Sequence, residues 1–521
     1  MKRKLLFTLP FLVAASSMLA QGEMDAYKLS RNDLTGTARS ISMGGAFGAL
    51  GGDISAISIN PAGIGVYKSS EIVSTLNFQN TSIESELNAG KVKNSKFKVT
   101  FDNLAFVSAF PVNSDVAPFV NFGFSYNRLK SFDRQYQMRG DNLQGNSIAS
   151  YMASRATNNS GGKITDPESQ IWITDTNNPF TSSRGYDWMA ITGFNSYLVQ
   201  HDGNGNYSPR AVFLNNKLNK DLFVREKGHI DTYDFSLGTT FSDIVSAGIS
   251  LSVTDLKYDL YSNYEEQFAD KPANGFSFNN DLRTEGTGWQ LGLGLIIKPV
   301  QELRIGVAYH SPTWYNMTDY YYGMDMDYTV TDYVPEATVP KDKFGAEGYD
   351  YDYKMRTPDK WTFSLAGVIG QAAIISADYE LTNYGNMNLK DPDGNNYEDQ
   401  NGYIKEDFRS SSTLRVGAEI RITPQFSGRI GYAWVQSPMK KEFKDGNKEV
   451  MTVGTVAHYT LDGDTNYFTY GLGYRFTRNF YTDVAFVMSN QKDDLYAYYG
   501  SEKTTLKTNR FQGLLTLGYK F

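Results

Sequence analysis

The chain has 521 residues, no cysteine, 36 tyrosines and 32 phenylalanines against 16 prolines, and a formal net charge of -7 at pH 7. The missing cysteine excludes a disulfide framework and any thiol ligand or nucleophile, and the mildly acidic balance excludes the broad basic surface that a nucleic-acid partner requires. Aromatic enrichment favours strands over helices, and no low-complexity linker divides the chain into the two or three domains its length would otherwise suggest.

In chain order, "MKRKLLFTLPFLVAASSMLA" comes first: Lys2, Arg3 and Lys4 precede an apolar run from Leu5 and a tail of small residues ending at Ala20. This predicts a secretory signal peptide over 1-20, because the apolar run is too short to cross a bilayer of about 30 Å. The next unit, 21-70, contains "GGAFGALGGDISAISINPAGIGVYKSS" from Gly44 to Ser70, rich in glycine and small apolar residues. Asp53 is placed to cap a short helix over Ile54 to Ser58 by accepting from its first free N–H groups. Pro61 forbids continuation and biases Asn60 away from helical backbone, so the chain must turn there. The segment lacks the Gly-Lys-Ser/Thr ending of a phosphate loop and is more apolar than a flexible linker. It reads as a packed plug.

From residue 71 onward, polar and apolar residues alternate. In "RFQGLLTLGYKF", Phe511, Leu515, Leu517, Tyr519 and Phe521 share one face, opposite Arg510, Gln512, Thr516 and Lys520. Runs of this kind predict fourteen strands near 71-80, 99-111, 118-132, 229-243, 245-262, 283-299, 301-317, 353-369, 371-382, 409-422, 425-437, 465-477, 479-492 and 508-521. Short turns such as "SDIV", "PVQ" and "TPQ" alternate with connections read as tens of residues long. An even count with short-long alternation is the pattern of an up-and-down bacterial outer-membrane barrel, so 71-521 is read as an all-β, fourteen-stranded antiparallel transmembrane barrel with the plug in its lumen. Strands of this length suit a tilted membrane crossing of roughly 9 to 11 residues. Tyr432, Trp434, Trp361 and Tyr481 are assigned to interfacial girdles. Arg304, Arg415, Glu419, Arg421, Arg429, Arg475, Asp378, Glu380 and Asp483 fall on the lumenal face, where they can tether a plug.

Three segments depart from the simple pattern. "VTFDNLAFVSAF" is apolar on both faces; Phe101, Ala105, Val107 and Ala109 are assigned inward, where they line an apolar path or pack the plug. In "PFVNFGFSYNRLKSF", Gly123 is the expected weak point of the ladder, and Arg128 breaks the apolar phase. The longest connection, about 133-228, carries helix-like spacing at Trp188, Ile191 and Leu198. At the C-terminus, Leu517, Tyr519 and Phe521 in phase read as a terminal signal for the outer-membrane barrel assembly machinery.

With a barrel behind it, the Gly44 to Ser70 segment resembles the N-terminal hatch of the FadL/TodX family of outer-membrane transporters for hydrophobic compounds, whose Asn-Pro-Ala motif stands here as Asn60-Pro61-Ala62, followed by Gly63. "GWQLGLGLIIKPVQELRIGVAYHSP" and "RTPDKWTFSLAGV" are also similar to that family. The resemblance implies passive uptake of hydrophobic molecules such as long-chain fatty acids or aromatic hydrocarbons. They would be captured among outer loops, held in an apolar lumen pocket and released through a side opening at a kink in the third strand when the hatch moves. It implies no cofactor and no enzymatic activity, with outer-membrane lipid as the surrounding partner.

Rival readings on the same barrel are a surface receptor or adhesin, a nonspecific porin and, behind these, a barrel-embedded lipid hydrolase. A porin needs no plug and an adhesin no lumen path. The four histidines, His201, His229, His310 and His458, are scattered, and His310 and Ser311 point to opposite faces of a strand end, so no nucleophile-base pair forms there. "DPDGNN", Asp391 to Asn396, lacks the distal Glu of a calcium loop.

Overall fold

The computed structural model describes residues 22–329 and 349–521, apart from 89, 160–161, 175, 183, 371, 447 and 451. The signal-peptide segment therefore lies outside the described residues. Fourteen strands follow one another around a closed antiparallel barrel, each pairing with its sequence neighbours. They are β1 (Glu71–Leu87), β2 (Gly90–Pro111), β3 (Phe119–Ser131, resuming as Arg134–Gln144), β4 (Lys217–Phe241), β5 (Val245–Phe268), β6 (Gly275–Val300) and β7 (Leu303–His310, resuming as Trp314–Thr329). The circuit continues with β8 (Tyr349–Arg356, then Lys360–Ile369), β9 (Ala373–Asn383), β10 (Ser410–Arg421), β11 (Phe426–Val435), β12 (Thr465–Arg475), β13 (Phe480–Tyr496) and β14 (Thr504–Lys520). It closes where β14 pairs with β1, in register from Glu71↔Lys520 to Glu86↔Thr505.

The two-residue period sets the faces. Ile249, Leu251 and Val253 of β5 and Leu291, Leu293 and Leu295 of β6 point outward in an unbroken apolar belt, as lipid contact demands. Trp289 lies against Trp314 at a tilt with ring centroids 4.4 Å apart, and Tyr309 lies 4.8 Å from Trp361, which builds one interfacial girdle. Leu517, Tyr519 and Phe521 also face outward. Tyr481 is not part of a girdle: its hydroxyl donates to the buried Glu71 Oε1 at 2.6 Å, so the ring turns into the barrel mouth.

Several expected loops are strand instead. β1 and β2 stay paired up to Leu87↔Gly90, well past the lipid belt, and β4, β5 and β6 reach similarly far. Apolar alternation ends before these strands do. Pairing persists because cross-strand charges replace lipid contact: Glu86 lies opposite Lys91 and Glu84 opposite Lys93, with Lys91 Nζ 3.3 Å from Glu86 Oε1. The connection read as 133–228 likewise shrinks to 145–216, which forms a helical cap with helices Ile148–Thr157 and Trp188–Asn195. Asp187 caps the second of these by accepting from Met189 N at 2.9 Å. The core of the cap merges with the outer barrel and with helix α1 (Glu23–Ser30), so Met24, Tyr27 and Leu29 are buried in the same cluster as Met152, Ile191 and Phe408.

Candidate functional site

Residues 22–70 fill the lumen. After α1 the chain descends to a second helix, α2 (Ala38–Ser42), capped by Thr37, whose hydroxyl accepts from Ser40 N at 3.2 Å and donates to Asp53 at 2.9 Å. Asp53 in turn accepts from Ser55 N at 3.1 Å and Ser55 Oγ at 2.6 Å, so one carboxylate ties α2 to the 3-10 turn Ile54–Ser58. A second 3-10 turn, Pro61–Val66, starts with the proline at its first position, where the missing N–H leaves nothing unsatisfied.

Asn60 links this turn to everything around it. Its Oδ1 accepts from Ala62 N at 3.0 Å, while its Nδ2 donates to Gly48 O at 2.7 Å and to Leu295 O of β6 at 3.2 Å. Gly63 N closes the turn onto Asn60 O at 2.9 Å. Ala62 is fully buried. Removing the Asn60 side chain deletes an N-cap and two tethers at once, so Asn60→Ala is expected to weaken hatch docking by about 2 kcal/mol, read as faster proteolysis of the hatch in an intact barrel.

The barrel wall meets this turn with glycines. A Cβ on Gly294 would lie 2.0 Å from Asn60 Oδ1, one on Gly248 2.2 Å from Pro61 O, and one on Gly306 2.4 Å from Gly48 O. A second set receives α2: a Cβ on Gly431 would lie 2.1 Å from Gly44 N, and one on Gly417 2.3 Å from Met43 O. The backbone of the hatch thus touches the backbone of the wall, which only glycine permits. Sequence reasoning assigned glycines to the hatch side of this contact and missed the wall side. The signal was present in "LGLGL", where leucines mark the lipid face and Gly292 and Gly294 the inner one.

Charge fastens the same units. Arg39 Nε donates to Glu419 Oε2 at 3.0 Å, Arg429 donates to Glu419 and to Asp483 at 2.5 Å each, and Arg415 Nη2 donates to Glu380 Oε2 at 3.0 Å. Gly48 N donates to Asp378 Oδ2 at 2.9 Å and Arg304 Nη1 to Leu50 O at 2.6 Å. Of these, Arg39–Glu419, Gly48–Asp378 and Arg304–Leu50 join the hatch to the wall, while Arg429 and Arg415 pair within the wall beside them. Higher up, Arg510 Nη1 donates to Asp33 Oδ2 at 2.8 Å. Burial pushes the Asp33 carboxyl up, but Arg510, Lys130 and Arg31 outweigh it and hold it below the usual carboxylate range. A depressed pKa stabilises the docked state above the ordinary value of about 3.9 and loses that contribution as pH falls through the depressed one. The difference in hatch protection between wild type and Asp33→Asn is therefore expected to persist above the ordinary carboxylate range and to shrink only in stronger acid.

Two site assignments move. Phe101 faces lipid, because Asp102 is an extra residue in β2: Thr75 pairs with Asn103 and Leu76 with Phe101, and this bulge shifts the phase. Ala105 and Val107 do point inward, where they pack Ile54, Ile57, Ile64 and Tyr67 of the hatch, and Ala109 is half-buried beside them. Gly123 is not the distortion; it sits in regular register between Val107 and Ser236, and a Cβ there would lie 2.5 Å from Ile64 Cδ1. The irregularity falls at Leu129, skipped between Arg128↔Asp231 and Lys130↔Ile230, and the strand then breaks at Phe132 and Asp133. Asp33 N donates to the Leu129 carbonyl at 3.0 Å, so the bulge is held by the hatch.

Beside the hatch lies a lumenal cavity of ≈ 160 Å³, bordered by Ile57, Ser250, Gln290, His310, Thr357 and Arg415, and a smaller one of ≈ 90 Å³ lies on the other side of the descending segment. Hydroxyls and charged groups dominate the lining of the larger cavity, in contrast to the apolar lumen pocket that the resemblance implies.

Comparison with known proteins places this architecture. The chain resembles the crystal structure of a Pseudomonas aeruginosa FadL homologue, with a TM-score of 0.54 at 15% identity over 94% of this chain and 99% of the other. It resembles the deltaS2 mutant of the TodX monoaromatic hydrocarbon channel with a TM-score of 0.51 at 13% identity, over 93% and 98% of the two chains. The Ralstonia pickettii toluene transporter TbuX gives a TM-score of 0.48 at 14% identity, over 95% of this chain and 100% of that one. No curated protein sequence matches the chain. The family model for outer membrane protein transport protein (OMPP1/FadL/TodX) matches residues 243–514, more than half of the sequence. This bacterial outer-membrane barrel belongs to the OMPP1/FadL/TodX family of transport proteins.

Proposed function

We propose that the protein is a passive channel for hydrophobic compounds, such as long-chain fatty acids or aromatic hydrocarbons, opened by movement of its hatch. The observation that carries this reading is the combination of a filled lumen with an unzipped wall. The β2–β3 ladder ends at Asn103↔Asn127, and above it, among the described residues, side chains bridge the seam: Lys96 Nζ to Asp133 Oδ1 at 3.1 Å with Lys98 beside it, and further up Ser85 Oγ of β1 to the Gln137 carbonyl. A solute released there moves sideways into lipid rather than down through the hatch, a route that suits an apolar compound and is useless to a sugar or an ion.

The gap lies beside the hatch-held bulge at Leu129, which supports coupling of hatch movement to opening. The name of the solved TodX structure, a monoaromatic hydrocarbon channel, supports the substrate class. A lumen blocked by Asn60 to Val66 leaves little to favour a nonspecific porin. The test is uptake of radiolabelled oleate and toluene by cells that carry the wild type, Asn60→Ala or no barrel. Wild-type cells are expected to exceed barrel-free cells several-fold, and Asn60→Ala to alter that rate. Equal uptake in all three removes the proposal.

A further inference from the structure

The outer face of the wall carries two grooves, one above the other on β5, β6 and β7. The lower is apolar and holds ≈ 420 Å³ between Phe122, Phe235, Ile249, Leu291, Leu293 and Tyr309. The upper is polar and holds ≈ 620 Å³, with Asp255, Lys257, Glu285, Asn316, Asp352 and Lys354 in its lining. Along β6 the outward residues run Leu293, Leu291, Trp289, Thr287 and Glu285, so Trp289 stands between the grooves, with Trp314 of β7 paired to it. From Leu291 to Thr287 is about 13 Å at roughly 3.3 Å per residue. The short turns 242–244 and 301–302 close the opposite ends of these strands, so the grooves lie toward the outer leaflet and the surface above it.

The polar lining is ordered in two rows. Nearer the tryptophans, Asp255 stands beside Thr287, Thr287 beside Asn316, and Asn316 beside Lys354. In the row above, Lys257 Nζ lies 3.5 Å from Glu285 Oε1, and Thr318 Oγ1 donates to Asp352 Oδ1 at 2.7 Å. The upper row therefore satisfies itself, whereas Thr287, Asn316 and Lys354 make no side-chain hydrogen bond among the described residues. Carboxylate, hydroxyl, amide and ammonium in one line offer mixed acceptors and donors, the set that matches a polyhydroxylated ring. Four strands at about 4.8 Å spacing make this line ~14 Å wide, which a disaccharide fills and a phosphoethanolamine head does not. At the depth of the lower groove the membrane supplies acyl chains, and the tryptophan pair marks the level where chains give way to headgroups.

We propose that this face of β5–β8 is a seat for an acylated disaccharide lipid of the outer leaflet. Its sugars lie along Asp255, Thr287 and Asn316, Lys354 receives a phosphate on the sugar, and one acyl chain lies between Ile249 and Leu291 in the lower groove. The seat is on the outside of the wall, so it goes beyond the channel reading and stands or falls independently of what crosses the lumen.

The test is native mass spectrometry of the full barrel in detergent with equal amounts of lipid A, an acylated and phosphorylated glucosamine disaccharide, and phosphatidylethanolamine. Wild type is expected to retain one lipid A roughly ten-fold better than the ethanolamine lipid. Asn316→Ala combined with Lys354→Ala is expected to lower lipid A retention about five-fold without changing that of the ethanolamine lipid. Leu251→Trp, which fills the lower groove, should weaken it too, whereas Leu472→Trp, at a lipid-facing site on β12, should not. All four positions lie on the outer face, and heat-modifiable gel mobility verifies that each variant is a folded barrel. The seat is overturned if wild type retains the two lipids equally, if the Asn316 and Lys354 substitutions leave the preference intact, or if Leu472→Trp weakens retention as much as Leu251→Trp.

Discussion

Gly294→Val is expected to expel the hatch from a barrel that remains closed. The new Cβ alone would lie 2.0 Å from Asn60 Oδ1 and 2.6 Å from Ala62 N, and the obstructed atoms belong to a buried cap and to backbone rather than to a flexible side-chain end. Ordinary overpacking costs about 1 to 3 kcal/mol because neighbours shift. Here the neighbour that must shift is the Asn-Pro-Ala turn itself, and its departure also forfeits the Asn60 bonds to Gly48 and Leu295. The outward side of β6 is untouched, since Leu293 and Leu295 keep their lipid contacts. The variant should therefore retain the heat-modifiable gel mobility of a folded barrel while its hatch becomes protease-sensitive and its single-channel conductance in planar bilayers rises. Unchanged protease resistance would show that the glycine contact is incidental.

Arg429→Met carries the second large effect. The Arg429 guanidinium is almost fully buried between Glu419 and Asp483, and Glu419 is shared with Arg39 of α2. Breaking a buried pair by removing one partner leaves uncompensated charge and costs about 3 to 5 kcal/mol. Two carboxylates would lose their common cation, so the α2 anchor should loosen while the Asn60 anchor on the opposite wall survives. The check is thermal release of the α2 region, followed by hydrogen exchange, with Asp483→Asn combined with Arg429→Met as the partner variant, which leaves the Arg39–Glu419 contact in place. If removing one carboxylate with the cation restores protection, buried charge is the cause; equal loss in both variants points to packing instead.

The barrel was legible because lipid imposes a strict rule on alternate residues. β14, β12 and β7 each show that rule in the sequence, and their observed faces follow it. The rule fails where lipid ends. The outer part of β2 alternates lysines with asparagine, serine and valine, so its pairing with β1 depends on a partner that local pattern cannot name. Phe101 illustrates a second limit: one bulge residue, Asp102, inverts the phase, and nothing in the local sequence announces it. Gly123 illustrates a third, since its role depends on Ile64, far away in the chain, rather than on its own strand. The Asn60 turn was legible because proline and asparagine act through nearby backbone; its glycine receptor on β5, β6 and β7 shows in the sequence only as inward glycines, because nothing in those strands names the partner they receive.

The seam between the first and last strands also orders events in time. The cylinder can close only when residues 504–520 are available to pair with β1, yet the segment it encloses is the earliest part of the described chain. α1 is then sealed beneath the cap while Asn60 is sealed against β6, so the hatch must be threaded before the last ladder zips. A slow final step of long sequence separation follows from this topology. In a kinetic refolding experiment, hatch protection and seam formation should appear together rather than in succession.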